Sequence, residues 1–193
     1  MAEARWFCRD DGEWSAMVER LKQTACPHCN VVGALIRHGV LLGYDDRSPR
    51  RKTLRARRIL CSNRNRRRGC GRTFSVWITD KIRRLSVTAG TLWRFLQGAV
   101  AGSIAAAIAA VVATGAASSF PSHRTWQRVW KRFDRCQSTI RTALFGRRPP
   151  PEPTTGPSRR PAAAHVLAHL RAAFPDADSP IAAYQHATQT FFV

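Results

Sequence analysis

The chain has 193 residues, 32 of them Lys or Arg against 12 Asp or Glu, for a formal net charge of +20. That length favours one domain or two small ones, and a surface of this sign attracts polyanions at long range. Hydrophobic residues at 44% and charged residues at 23% exclude a disordered acidic tail, and the excess of base makes an ordinary neutral-metabolite enzyme an unusual reading.

Residues 1–25 mix acids with bases. The spacing of Glu13, Trp14, Met17, Val18 and Leu21 predicts a short amphipathic helix. Residues 1–11 carry Arg5, Asp10 and Asp11 and lack an apolar core segment, so no secretory signal is read and the expected location is the cytoplasm, with the nucleoid. In that compartment clustered cysteines read as metal ligands rather than as a disulfide framework.

Residues 26–78 hold four of the six cysteines, set among short β-prone runs punctuated by Gly33, Gly39 and Gly43. Cys26-Pro27-His28-Cys29 is a C-x-x-C, a tight loop in which two thiolates converge on one ion. Cys61 and Cys70 follow, separated by SNRNRRRG. Two knuckles joined by a β-hairpin give a Cys₄ structural zinc site with Zn–S bonds of about 2.3 Å. A segment of this size has little core, and a metal contributing ~10 kcal/mol or more of folding free energy would sustain it. The second spacing is longer than the two to four residues usual in such a knuckle, so its middle must bulge outward. His28 and His38 are rival ligands; Cys8 and Cys136 have no partner at motif spacing and read as small buried side chains. The other reading of the set, a redox C-x-x-C with unrelated cysteines, lacks the βαβ pattern it needs.

With CPHCN, GALIRHG, RRILC and GCGRTFSV in this order, the segment resembles the zinc ribbon at the N-terminus of many bacterial insertion-sequence transposases and their small companion proteins. It matches the first cysteine pair and the end from Cys70 to Phe74, and departs in the lengthened second knuckle. The resemblance covers residues 26–78 and implies a DNA-binding module in mobile-element biology, its catalytic half lying elsewhere.

Residues 47–84 carry fifteen Lys or Arg and one acid, Asp80. The candidate nucleic-acid contacts here are Arg55, Arg57, Arg58, Arg64, Arg66, Arg67, Arg68 and Arg72. Arg64 to Arg68 lie between two proposed thiolate ligands, where a rigid centre would present guanidinium groups to phosphates. Charge alone does not separate DNA from RNA, so an RNA-binding ribbon of the ribosome or transcription machinery is the competing reading.

Residues 79–146 read as helical. Residues 97–120 carry no charge and reach the length of a membrane span. Their strong apolar residues, however, recur at intervals of three and four as a single buried stripe among Ala, Gly and Ser. Three helices fit better. The first runs over about 86–100 and Gly102 ends it; Ser103 caps the second, about 104–113; 115–121 connects; Ser122 caps the third, about 123–145. In the third, Trp126, Val129, Trp130, Phe133, Ile140 and Leu144 form an apolar side, opposite Arg124, Gln127, Arg128, Lys131, Arg132 and Arg135. A short Ala-rich helix, a turn with Gly and a long basic helix make a helix-turn-helix pattern, whose last helix would enter the major groove through Arg124, Gln127, Arg128, Lys131 and Arg132. The tryptophans read as core rather than as base-stacking platforms.

Six of the fifteen residues 147–161 are proline, which predicts an extended linker. Residues 162–193 read as a tail with one helix, ended before Pro175, and an ambiguous final run. His165 and His169, four apart, read as a helix-surface pair. No acid stands at the end of an apolar strand where a two-metal phosphoryl-transfer triad belongs, so no enzyme activity is expected. The expected fold is therefore α+β. It comprises an N-terminal helix (1–25), a zinc ribbon (26–78), an all-α helix-turn-helix unit (79–146), a linker (147–161) and a tail (162–193). The expected cofactor is structural Zn²⁺, and the expected partners are DNA and a protein that supplies catalysis.

Overall fold

The computed structural model describes residues 4–48, 50–113, 121–152 and 159–193. They are mixed in class, with one four-stranded sheet and six α-helices, consistent with α+β. The chain divides into two compact units, Met1–Gly43 with Lys52–Thr79, and Tyr44–Arg51 with Asp80–Val193.

The first unit is built on the sheet. Strand β1 is Phe7–Cys8, β2 Leu35–Gly43, β3 Thr53–Cys61 and β4 Thr73–Ile78, in the order β1-β4-β3-β2. The two long strands form an antiparallel pair running from Leu35 opposite Cys61 to Gly43 opposite Thr53, and β4 continues the meander. Because opposed residues share a face, Leu35, Ile59, Phe74 and Val76 fall on one side, where Trp14 and Leu21 cover them. Helix α1, Asp11–Glu19, supplies Trp14 and begins at Asp10, whose carboxylate accepts the Glu13 N–H at 2.9 Å. The expected N-terminal helix is therefore present. It is accompanied by the unexpected β1, which adds parallel to β4 with Phe7 opposite Trp77. Two residues with a partner seventy positions away leave no local pattern to read.

The second unit is helical. Helix α2 is Ala89–Ala101, α3 Ile104–Ala113, α4 His123–Phe145, α5 Pro161–Ala173 and α6 Pro180–Thr188. Thr88, Ser103 and Ser122 cap α2, α3 and α4 with their side-chain oxygens, satisfying N–H groups that a helix start leaves unpaired. The α4 start and end coincide with those read from the sequence, and all six residues of its expected apolar side are buried. Trp126 lies against Phe95 of α2, ring centroids 4.4 Å apart.

Residues 162–193 carry two helices rather than one, and they are core rather than appendage. Val166, Leu170, Ile181, Tyr184, Phe192 and Val193 belong to the same buried cluster as the α2 and α4 side chains. Phe192 stacks on Phe133 at 5.9 Å and meets Tyr184 edge-on at 5.6 Å. The described part of the proline-rich stretch is tied down as well: His165 and His169 bond the Pro151 and Arg148 carbonyls, each at 2.8 Å.

Segment 44–51 joins this unit through charge. Asp45, 1% exposed, accepts from Lys81 Nζ and from the Arg47 and Ser48 N–H groups. Asp46 accepts the Thr88 N–H at 2.9 Å, and Arg47 pairs with Asp80 at 3.0 Å. Among the described residues no helix is long and apolar enough to cross a membrane. Residues 114–120 of the uncharged stretch, including the expected turn before α4, and 153–158 of the expected linker lie outside the described residues.

Candidate metal centre and basic surfaces

The four cysteines read as ligands come together in the first unit. Cys26 Sγ lies 3.9 Å from Cys70 Sγ, Cys29 Sγ lies 3.7 Å from Cys61 Sγ, and all four sulfurs fall within 4.8 Å of one another. A disulfide needs about 2.05 Å. Four sulfurs at about 2.3 Å from a tetrahedral ion stand about 3.8 Å apart, so the cluster has the size of a metal site of this kind. No histidine joins it: among the described residues the only group of metal-ligating side chains is these four cysteines. His28 instead packs edge-on to Phe74 at 6.3 Å, and His38 is exposed on β2. Cys8 is buried and Cys136 half-buried, neither in the cluster.

The two knuckles are built alike. The Cys26 N–H donates to the Val31 carbonyl at 3.0 Å, as that of Cys61 does to Arg72 at 2.9 Å. The Asn30 N–H donates to the Cys26 carbonyl at 2.8 Å, as that of Gly71 does to Cys61, also at 2.8 Å. Asn30 and Gly71, each directly after the knuckle's second cysteine, both take the left-handed conformation, at φ 58° and 74°. Each knuckle also sends an N–H to its first sulfur, from His28 to Cys26 at 3.4 Å and from Cys70 to Cys61 at 3.3 Å.

The long second spacing resolves within this correspondence. Ser62 accepts the Gly69 N–H at 3.0 Å, so the chain leaves and re-enters the knuckle at one point. Cys61-Ser62 and Gly69-Cys70 together take the form of a C-x-x-C, with residues 63–68 looping out between them. Only glycine fits at 69, because a Cβ there would lie 2.3 Å from the Ser62 carbonyl oxygen and 2.7 Å from Cys61 Sγ. The shaping roles of Gly69, and of Gly71 within the matched Cys70 to Phe74 end, are the features that sequence reasoning passed over. Their signal was the likeness of C-S…G-C-G to C-P-H-C-N once the six intervening residues are set aside.

The thiols are not equivalent. The Val31 N–H draws Cys29 down to about 7 from 9.0, whereas burial raises Cys26 and pushes Cys61 up to about 12. A cation that displaces the remaining protons satisfies the buried pair, which is the chemistry of a structural thiolate site.

The candidate nucleic-acid contacts divide. Arg55 is buried, its guanidinium 6.0 Å from the Trp77 ring centre. Arg57 pairs with Asp11 and lies over Trp14 at 5.1 Å. Both are committed to the fold. Arg58 is exposed and donates to Thr73 Oγ1 at 3.0 Å, while Arg64, Arg66, Arg67, Arg68 and Arg72 are exposed. On α4, Arg124, Gln127, Arg128, Lys131 and Arg132 are all exposed along the side opposite the buried tryptophans.

Comparison with models of protein families, with curated proteins and with solved structures found no match to this chain.

Proposed function

We propose that this chain is a DNA-binding protein whose first unit is a zinc ribbon and whose α2–α4 form a helix-turn-helix. In this reading zinc is structural, held by Cys26, Cys29, Cys61 and Cys70. The exposed arginines of the ribbon grip backbone phosphates, and the N-terminal half of α4 reads base edges in the major groove through Arg124, Gln127, Arg128, Lys131 and Arg132. Catalysis is no part of the role. Asp10, Asp11, Asp45 and Asp46 are each engaged in capping, turns or ion pairs, which supports a binding protein over a nuclease-like one. The resemblance of residues 26–78 to transposase ribbons makes a companion protein of a mobile element, working in the nucleoid beside a separate catalytic chain, the role that fits best.

The observation that carries this reading is the four-sulfur cluster beside a dense, exposed run of arginines. Its test is selection from a random duplex pool with zinc-loaded protein, with a structured RNA as competitor at about 150 mM salt. A consensus motif that outcompetes the RNA supports it. A pool that stays random, or RNA that wins, overturns it.

A further inference from the structure

The insertion in the second knuckle has an internal order of its own. Arg67 N–H donates to the Arg64 carbonyl at 3.1 Å, and the two residues between, Asn65 and Arg66, have φ of 52° and 63°. Two consecutive left-handed residues closed by this bond are the mark of a type I′ turn, the tight reversal of a hairpin. Asn suits its first position. The second is the place where glycine costs least, and here it is arginine. A strained conformation at an exposed tip, with no side-chain partner among the described residues to hold it, points to function rather than to packing. The base of the tip is rigid, because it is closed by the Ser62–Gly69 bond directly on the sulfur cluster, and Arg64 adds an N–H to Ser62 Oγ at 3.3 Å. The result is a narrow finger with one arginine at its apex and Arg64, Arg67 and Arg68 on its flanks, without an acid.

We propose that residues 63–68 are a finger grafted into a C-x-x-C knuckle, and that its apex Arg66 enters the minor groove of A·T-rich duplex DNA. This rests on the DNA-binding reading above and assigns a groove to it. The minor groove is about 6 Å wide, too narrow for a two-stranded ribbon but open to a single side chain from a tip. A·T tracts narrow it further and deepen its negative potential, which favours an inserted arginine. The flanking arginines then face the phosphates that line the groove on both strands. Asn65, beside the apex, has the donor that A·T minor-groove acceptors take. The finger has no part in holding the metal, since the knuckle's own bonds run between residues 61, 62, 69, 70, 71 and 72.

The test uses the full chain, zinc-loaded, on duplexes of equal length with A·T, G·C or inosine·C cores. Inosine·C lacks the guanine 2-amino group, so its minor groove matches A·T while its major groove stays close to that of G·C. Wild-type protein is expected to bind the A·T and inosine·C duplexes about tenfold more tightly than G·C, the size of one well-made contact. Arg66→Gly should erase most of that preference while its thermal midpoint stays at or above that of wild type, because glycine relaxes the turn. Deletion of residues 63–68, which leaves Cys61-Ser62-Gly69-Cys70, should keep one metal per chain and flatten the salt dependence of binding. Equal affinity for G·C and inosine·C, a preference that survives Arg66→Gly, or loss of the metal on deletion would overturn the finger and leave the DNA-binding reading standing. Failure of the wild-type chain to bind any duplex would overturn both.

Discussion

The two units solve the same problem of stability by different means. The helical unit buries Phe95, Trp126, Phe133, Leu144, Leu170 and Phe192 in one continuous core and carries its own order. The sheet unit has a smaller apolar cluster around Trp14, Leu35, Ile59 and Phe74, and places four sulfurs at metal-site spacing beside it. One unit is held by area removed from water; the other sets beside its smaller core four sulfurs that could hold a metal ion. The difference teaches where each would be vulnerable: the first to a cavity, the second, under the metal-site reading, to a chelator or a proton.

The largest effect expected from this contrast follows metal removal. A strong chelator, or Cys26→Ser, should unfold the sheet unit with the loss of roughly 10 kcal/mol of folding free energy. The helical circular dichroism of the other unit should survive, and a single transition that takes both together would break the distinction. Next comes Trp126→Ala, which empties a fully buried site in the helical core. It should cost about 3–5 kcal/mol by denaturant titration and leave the metal content unchanged. Lys81→Met should be of similar size, about 3–5 kcal/mol, because it leaves the Asp45 carboxylate buried without its cation. A neutral result there would mean that the remaining partners of Asp45, the Arg47 and Ser48 N–H groups among them, satisfy it.

How much of this was legible in the sequence follows the same division. Helix α4 could be read because its evidence is local: the Ser122 cap and a 3.6-residue apolar period that runs to Leu144. The four clustered cysteines could be picked out as a set from the C-x-x-C at Cys26 and the Cys70 to Phe74 end, although Cys61 and Cys70 do not stand at knuckle spacing. The form of the second knuckle could not, because residues 63–68 separate two halves that only the Ser62–Gly69 bond reunites. Arg55 and Arg57 looked like free charge for a comparable reason. Their partners, Trp77 for one and Asp11 and Trp14 for the other, are brought to them by strand pairing and by α1, across separations that no local pattern records. Helices α5 and α6 were read as a tail because a proline-rich stretch precedes them. The apolar positions of α5, Ala163, Val166, Leu167 and Leu170, already had the spacing of a buried face.

The smallest effect sharpens the picture of the sheet unit through pH. Burial pushes the Cys8 thiol up to about 11 from 9.0. Between pH 9 and 11 the unfolded chain gives up this proton while the folded chain keeps it, so the folded state binds more protons in that window. Stability from this group is complete below pH 9 and is lost as pH rises toward 11. Cys8→Ala should flatten that part of the unfolding profile, and an unaltered slope would place its origin elsewhere.

The measurement that goes most directly to the central claim is X-ray absorption on the purified chain at the zinc edge, paired with metal stoichiometry. The account predicts one zinc per chain with four sulfur neighbours at about 2.3 Å, and loss of that shell in Cys61→Ser. Well-folded protein with no metal, or a shell containing nitrogen from His28 or His38, would contradict it.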